Sequence, residues 1–163
     1  MWSLSREVLD DVMEKFSDLR IGVALIRGVQ VASSSAELNA LKAKTAETLM
    51  QEYQGINLGS LDAVKAYREI YRAFGADPGK RNPSAEALLR RITRGRGLPD
   101  INNVVDAYNL ASVETLIPIA AYDADCLQFP VELRFAHEGE SIETMGSDGP
   151  QAIDAGELIY ADQ

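Results

Sequence analysis

A single cysteine, Cys126, and a single histidine, His137, stand in this chain of 163 residues. The cysteine count excludes an internal disulfide framework and a cysteine-built zinc site. A Ser/His/Asp or Cys/His catalytic arrangement would have to recruit His137, which lies in RFAHEGE, a hairpin approach where a lone histidine is ordinarily idle. Cys126 lies in the acidic stretch DADCLQF, where carboxylates raise a thiol's pKa, so it is expected to be packed rather than nucleophilic. No apolar run has transmembrane length, and the N-terminus MWSLSREVLDDVMEKF brings acids early and lacks the apolar centre of a secretory signal. Membrane association is therefore not expected, and a cytoplasmic location is. Walker, GxGxxG, GxSxG and HExxH motifs are absent, and the acids of DADCL and HEGESIET lack the spacing of a calcium loop. No metal or cofactor is implied.

What is present is charge, unevenly placed. The net charge is −9, yet residues 65–96 hold nine basic residues against three acidic ones, a net +6. Residues 97–163 hold thirteen acids and only Arg134, a net −12. A basic island in an acidic chain is either an anion-binding surface or the internal partner of the acidic parts.

The length suits one domain with one core, and no repeat, low-complexity tract or linker divides it. Apolar spacing predicts a first helix over 4–16, from Leu4 to Phe16. The run RIGVALIRGVQV (20–31), rich in β-branched residues, predicts a buried strand. Serines 33–35 cap a second helix carrying Leu38, Leu41, Ala46 and Leu49. A third helix places Val64, Tyr67, Ile70, Tyr71 and Phe74 on one stripe and stops at a C-capping Gly75. A fourth begins with Asn82 as N-cap and Pro83 at the first helical position, burying Ala85, Leu88, Leu89 and Ile92. That leaves Arg90, Arg91 and Arg94 on the surface, where basic residues of a last turn, Arg94 and Arg96 among them, also suit the helix dipole. The period then shortens: IAAYD, VELRFA, ESIETMG and ELIYAD read as strands between turns. Helices over the first two thirds, packed on a mixed or antiparallel sheet that the early strand joins, make the expected class α+β.

Between these parts lies LPDINNVVDAYNLASVETLIP, residues 98–118. Asn102, Asp106 and Asn109 recur at spacings of four and three, which places them on one helical face, with Val104, Tyr108 and Ala111 opposite. Such a face is either solvated or the wall of a pocket.

From Leu98 onward the segments INNVVDAYN (101–109), PIAAYDAD (118–125), VELRFAHEGESIETMG (131–146) and ELIYAD (157–162) resemble the B3/B4 domain of the bacterial phenylalanyl-tRNA synthetase β subunit. Order and spacing agree without a gap from Asn109 to Asp123, and residues 64–162 carry the closest likeness, which also extends to freestanding B3/B4 proteins. The resemblance implies one B3/B4-like domain over 1–163. In the synthetase this domain holds an editing pocket that hydrolyses tyrosine wrongly attached to the phenylalanine tRNA. Asn109 matches a pocket-lining asparagine and Pro118 the pocket proline, while Asp106 and Asn103 match residues that hold the wall. The family's histidine falls on Ala120, which can neither polarise water nor hydrogen-bond an aminoacyl group. The family's downstream Ala-Gly-rich segment and its tyrosine-reading glutamate lie past Gln163 in register. A shortened protein or a fragment is expected, with self-association across an exposed edge.

Three functions follow from these expectations. The first is a module that binds tRNA or its aminoacyl end, with Arg90, Arg91, Arg94 and Arg96 on phosphates and no catalytic residue of its own. The second is a freestanding hydrolase of mischarged tRNA that relies on positioned water. The third is an amino-acid binder without RNA.

Overall fold

This computed structural model describes residues 6–73, 77–79, 82–143 and 148–162. Leu4, Phe74, the helix stop at Gly75, Lys80, Arg81, and Met145 with Gly146 at the end of ESIETMG lie outside the described residues. Five helices, α1 (Arg6–Lys15), α2 (Ala36–Glu52), α3 (Asp62–Ala73), α4 (Ser84–Thr93) and α5 (Asn103–Thr115), precede four short strands. These are β1 (Glu132–Phe135), β2 (Ser141–Ile142), β3 (Gln151–Ala152) and β4 (Leu158–Ala161). The class is α+β. The chain divides into two compact units, Ile26–Ala121 on one side and Met1–Leu25 with Tyr122–Gln163 on the other.

The helical unit is built on Leu49 of α2, Leu58, Leu89 and Ile92 of α4, Leu98, and Leu110 with Val113 of α5. Burying such side chains stabilises the fold by roughly 1.5–3 kcal/mol each. α2 starts where expected, because the Ser35 hydroxyl accepts the Leu38 N–H at 3.1 Å. α4 starts one residue later than expected. Pro83 is its N-cap: the Pro83 carbonyl accepts the first helical hydrogen bond, from the Ala87 N–H at 3.0 Å, and Asn82 is left outside the helix. The inward row of α4 holds Ala85, Leu89 and Ile92 as expected, and also Glu86.

In the second unit α1 packs on β1, with Lys15 Nζ 5.1 Å from the centre of the Phe135 ring. β1 pairs antiparallel with β4, Glu132 opposite Ala161 and Phe135 opposite Leu158. β2 pairs with β3, Ser141 opposite Ala152. VELRFA and ELIYAD are thus each other's partners. Arg134 on β1 reaches across the turn to Glu140 with hydrogen bonds of 2.9 and 2.5 Å. That guanidinium, with the His137 backbone N–H, holds the Glu140 carboxyl down at about 2. His137 itself sits exposed beside the turn.

Three strand expectations fail. Residues 20–31 form no strand, and Val23, Leu25, Ile26, Val29 and Val31 are exposed rather than buried. A β-branched apolar run signals capacity for burial, but a strand also needs a neighbour to complete its ladder. The end of this run finds the side chain of Asn103 instead: its amide donates to the Gln30 carbonyl and accepts the Ala32 N–H, each at 2.9 Å. IAAYD also forms no strand and runs into a short 3₁₀ turn at Ala124–Cys126, where Cys126 is exposed rather than packed. In place of one sheet joined by an early strand, the described strands form two separate two-stranded ladders.

Candidate functional site

α5 organises the predicted site. Asn102 caps it, its Oδ1 accepting the N–H groups of Val104 at 3.1 Å and Val105 at 2.9 Å. Asn102→Ala is expected to lower stability by about 1 kcal/mol, measured by denaturant unfolding. Asn103, the first helical residue, spends its amide on Gln30 and Ala32 as described.

Asp106 is 0% exposed. Its Oδ2 accepts from Lys42 Nζ at 2.7 Å and from the Ser34 hydroxyl, and its Oδ1 accepts the Ile101 N–H at 3.0 Å. Lys42, 5% exposed, also bonds Asp100, whose side chain is in solvent. Burial by itself would raise the Asp106 pKa. The hydrogen bonds from Lys42, Ser34 and Ile101, with the Lys42 charge, overcome that and hold the carboxyl below its ordinary value. Burial works against the Lys42 ammonium in the same way, and its two carboxylate partners prevail, so its pKa is raised. Asp106 therefore lies on the inward row of α5 with Leu110 and Val113. Of the polar face read from the sequence, Asp106 is thus turned into the protein, while Asn102 and Asn109 are half-buried.

Asn109 differs from its neighbours. It is half-buried, and its side chain makes no hydrogen bond with any described residue. One turn further on, the Ser112 hydroxyl donates to the Ile117 carbonyl at 2.7 Å. Leu116 between them takes the left-handed conformation, φ 56°, that ends the helix. This tether turns the chain back at the end of α5 and places half-buried Pro118 one residue after the anchored carbonyl. Ala120 is exposed. Two of the clefts on the described surface lie away from Asn109 and Pro118. The larger, about 280 Å³, lies at the end of α2 between Met50 and Ile56, with Thr93.

The smaller cleft, about 190 Å³, is lined by Asn82, Ala87, Arg90, Arg91, Arg94 and Arg96. The four arginines singled out in the sequence are thus brought together, and the end of α4 explains how. Gly95, at φ +73°, turns the chain left-handed. The Gly95 N–H then bonds the Ile92 carbonyl at 2.8 Å, and the Arg96 N–H bonds the Arg91 carbonyl at 3.0 Å. This is a Schellman closure, and it folds Arg96 back over the last turn. Arg90 is held by Glu86, which is 1% exposed and also bonds Arg68 at 2.9 and 2.5 Å. Burial would raise the Glu86 pKa, but the two guanidinium groups hold it below its ordinary value. Arg91, Arg94 and Arg96 are exposed and have no ion pair among the described residues.

Sequence reasoning missed Lys42, Ser34, Arg68 and Glu86. Lys42 had a signal: it interrupts the row Leu38, Thr45, Leu49 on the inward side of α2. So did Glu86, four residues before Arg90, a favourable helix pairing.

Residues 66–163 match the family model described as the B3/4 domain. Among curated relatives, the phenylalanine–tRNA ligase β subunit of Anaeromyxobacter dehalogenans is 31% identical over 95% of this chain and 20% of its own length. That of Cutibacterium acnes is 39% identical over 49% of this chain and 9% of its own length. The chain thus spans a fifth or less of these relatives. No solved structure gives a significant match.

Proposed function

Because this chain belongs to the B3/4 domain family, we propose that it is a module that binds tRNA or its aminoacyl end without supplying catalytic side chains. The observation that carries this reading is the segregation of charge. The helical unit, 26–121, holds twelve basic and ten acidic residues, a net +2, while the rest of the chain holds four basic and fifteen acidic residues, a net −11. Asn109, Pro118 and the four arginines all belong to the unit that a polyanion can approach. Asn109, with its amide unspent, offers a donor and an acceptor to the aminoacyl end. Pro118 gives that contact an apolar edge. Arg91, Arg94 and Arg96 meet backbone phosphates. Asp106 and Asn103 hold the wall from behind through the bonds they make inside the protein.

The test is binding of phenylalanine tRNA, charged and uncharged, at 50 and 200 mM salt. Three phosphate contacts are expected to weaken binding by roughly 30- to 50-fold between these concentrations. Asn109→Ala is expected to reduce the preference for charged over uncharged tRNA about fivefold, the scale of about one net hydrogen bond, with an unchanged melting temperature. An absence of binding at 50 mM would refute the module. Deacylation of tyrosyl-tRNA above the buffer control, lost in Asn109→Ala, would instead establish the hydrolase. Thermal stabilisation by a free amino acid alone would establish the amino-acid binder.

A further inference from the structure

Basic residues at the end of a helix ordinarily serve its last carbonyls, or splay into water. At the end of α4 the first description does not fit. The carbonyls of Ile92 and Arg91 are taken by the backbone N–H groups of Gly95 and Arg96, and the Arg90 carbonyl by the Thr93 hydroxyl at 3.2 Å. The guanidinium groups of Arg91, Arg94 and Arg96 donate no hydrogen bond to any described residue. They nevertheless line a single cleft with Asn82 and Arg90. Arg90 is fixed from behind by Glu86, yet its Nε is buried with no hydrogen-bond partner.

The charge does not cancel locally. Among the described residues, Glu86 is the sole carboxylate bonded to this group, and two arginines, Arg68 and Arg90, already share it. The three free guanidinium groups therefore stand beside a pair that is itself positive. Three planar forks in one place suit oxygens spread over more than one phosphorus, since each fork binds two oxygens side by side. The cleft is small, about 190 Å³, below the roughly 300 Å³ at which pockets begin to enclose a drug-sized molecule.

We propose that this cleft is a seat for two adjacent phosphoryl groups, the chemistry shared by neighbouring phosphates of an RNA strand and by free pyrophosphate. Arg90 is its fixed wall, and Arg91, Arg94 and Arg96 close on the ligand. The proposal rests on the phosphate-contact part of the function above and narrows it from a basic surface to one built site. It also implies that free oligophosphate competes with RNA for the protein.

The experiment is calorimetric titration of the full chain with sodium pyrophosphate in 50 mM salt, with tRNA binding followed in parallel. Saturable binding of one pyrophosphate per chain is expected, weakened at least tenfold in Arg91→Ala/Arg94→Ala. The pair Lys44→Ala/Lys65→Ala removes the same charge from exposed positions elsewhere and is expected to stay within twofold of the unaltered protein. Melting curves establish that both variants remain folded. Pyrophosphate is further expected to displace tRNA. No saturable binding, or equal losses in the two double variants, overturns the seat. If tRNA binds while pyrophosphate does not, the seat is wrong and the RNA function stands. If pyrophosphate binds in an arginine-dependent way while tRNA does not, the seat stands and the RNA function is wrong.

Discussion

Asp106→Ala is expected to lower the unfolding free energy by about 3–5 kcal/mol, the range for removing one partner of a buried ion pair. Three groups lose their acceptor at once: the Lys42 ammonium, the Ser34 hydroxyl and the Ile101 N–H. Lys42 keeps Asp100, but that carboxylate is 83% exposed and its attraction is screened by water. A double replacement, Lys42→Met with Asp106→Leu, is expected to recover much of the loss, because it removes the unpaired charge and keeps the volume. It cannot recover all of it, since the Ser34 and Ile101 donors stay unsatisfied. Urea unfolding of the two variants measures both effects. Equal stability of Asp106→Ala and the unaltered protein would mean that the pair contributes nothing.

The same pair gives a pH dependence. Asp106 is held below its ordinary value of 3.8, so its contribution is complete above that pH and is lost as pH falls through the lower, folded value. Lys42 is held above its ordinary 10.5, so its contribution is complete below that pH and is lost as pH rises through the higher, folded value. Stability is therefore expected to fall on acidification below about pH 4. The fall is shallower in Asp106→Asn, which has no carboxyl there to protonate.

Glu86→Ala is the second large effect. It removes a carboxylate, 1% exposed, that holds two guanidinium groups, and leaves Arg68 and Arg90 repelling each other. Both arginines retain some contact with water, with side chains 24% and 35% exposed. The expected loss is accordingly smaller than for a sealed pair, about 2–3 kcal/mol. A structural role alone would stop there. Because Glu86 also fixes Arg90 as the wall of the arginine cleft, tRNA binding is expected to change in the folded variant too. Affinity should fall at 200 mM salt, where placement of the arginines matters most, and be largely kept at 50 mM, where the extra positive charge compensates. Glu86→Gln keeps the volume and tests charge alone. Unchanged tRNA affinity in folded Glu86→Gln at both salt concentrations would remove the positioning role.

The helices were legible because their signal is local. Apolar spacing in α2, α3 and α4, the Ser35 cap and the inward row Ala85, Leu89, Ile92 all depend on residues a turn apart. The pairing of VELRFA with ELIYAD was half legible. Period-2 alternation marked both as strands, while their mutual pairing depends on a meeting across more than twenty residues. Residues 20–31 were misread because apolar, β-branched composition describes what a strand tolerates and not whether a partner is present. On α5 the helical spacing placed Asn102, Asp106 and Asn109 on one face, and the family resemblance alone set Asn109 apart as pocket-lining. The structure separates them into a cap, a buried anion and an unspent amide, and what singles out Asp106 is supplied by Ser34 and Lys42, more than sixty positions away.

By itself, then, the sequence determined the α+β class, the B3/4 family, the starts of α2 and α4 to within a residue, and the surplus of positive charge near Arg90. Each is a property of composition, of spacing within a few turns, or of motif order. Only the tertiary structure decided that Lys42 is buried against Asp106, that Glu86 ties Arg68 to Arg90, and that a left-handed glycine folds Arg96 back among the other arginines. A charge's role depends on which groups displace water from around it, and those groups are supplied by distant parts of the chain.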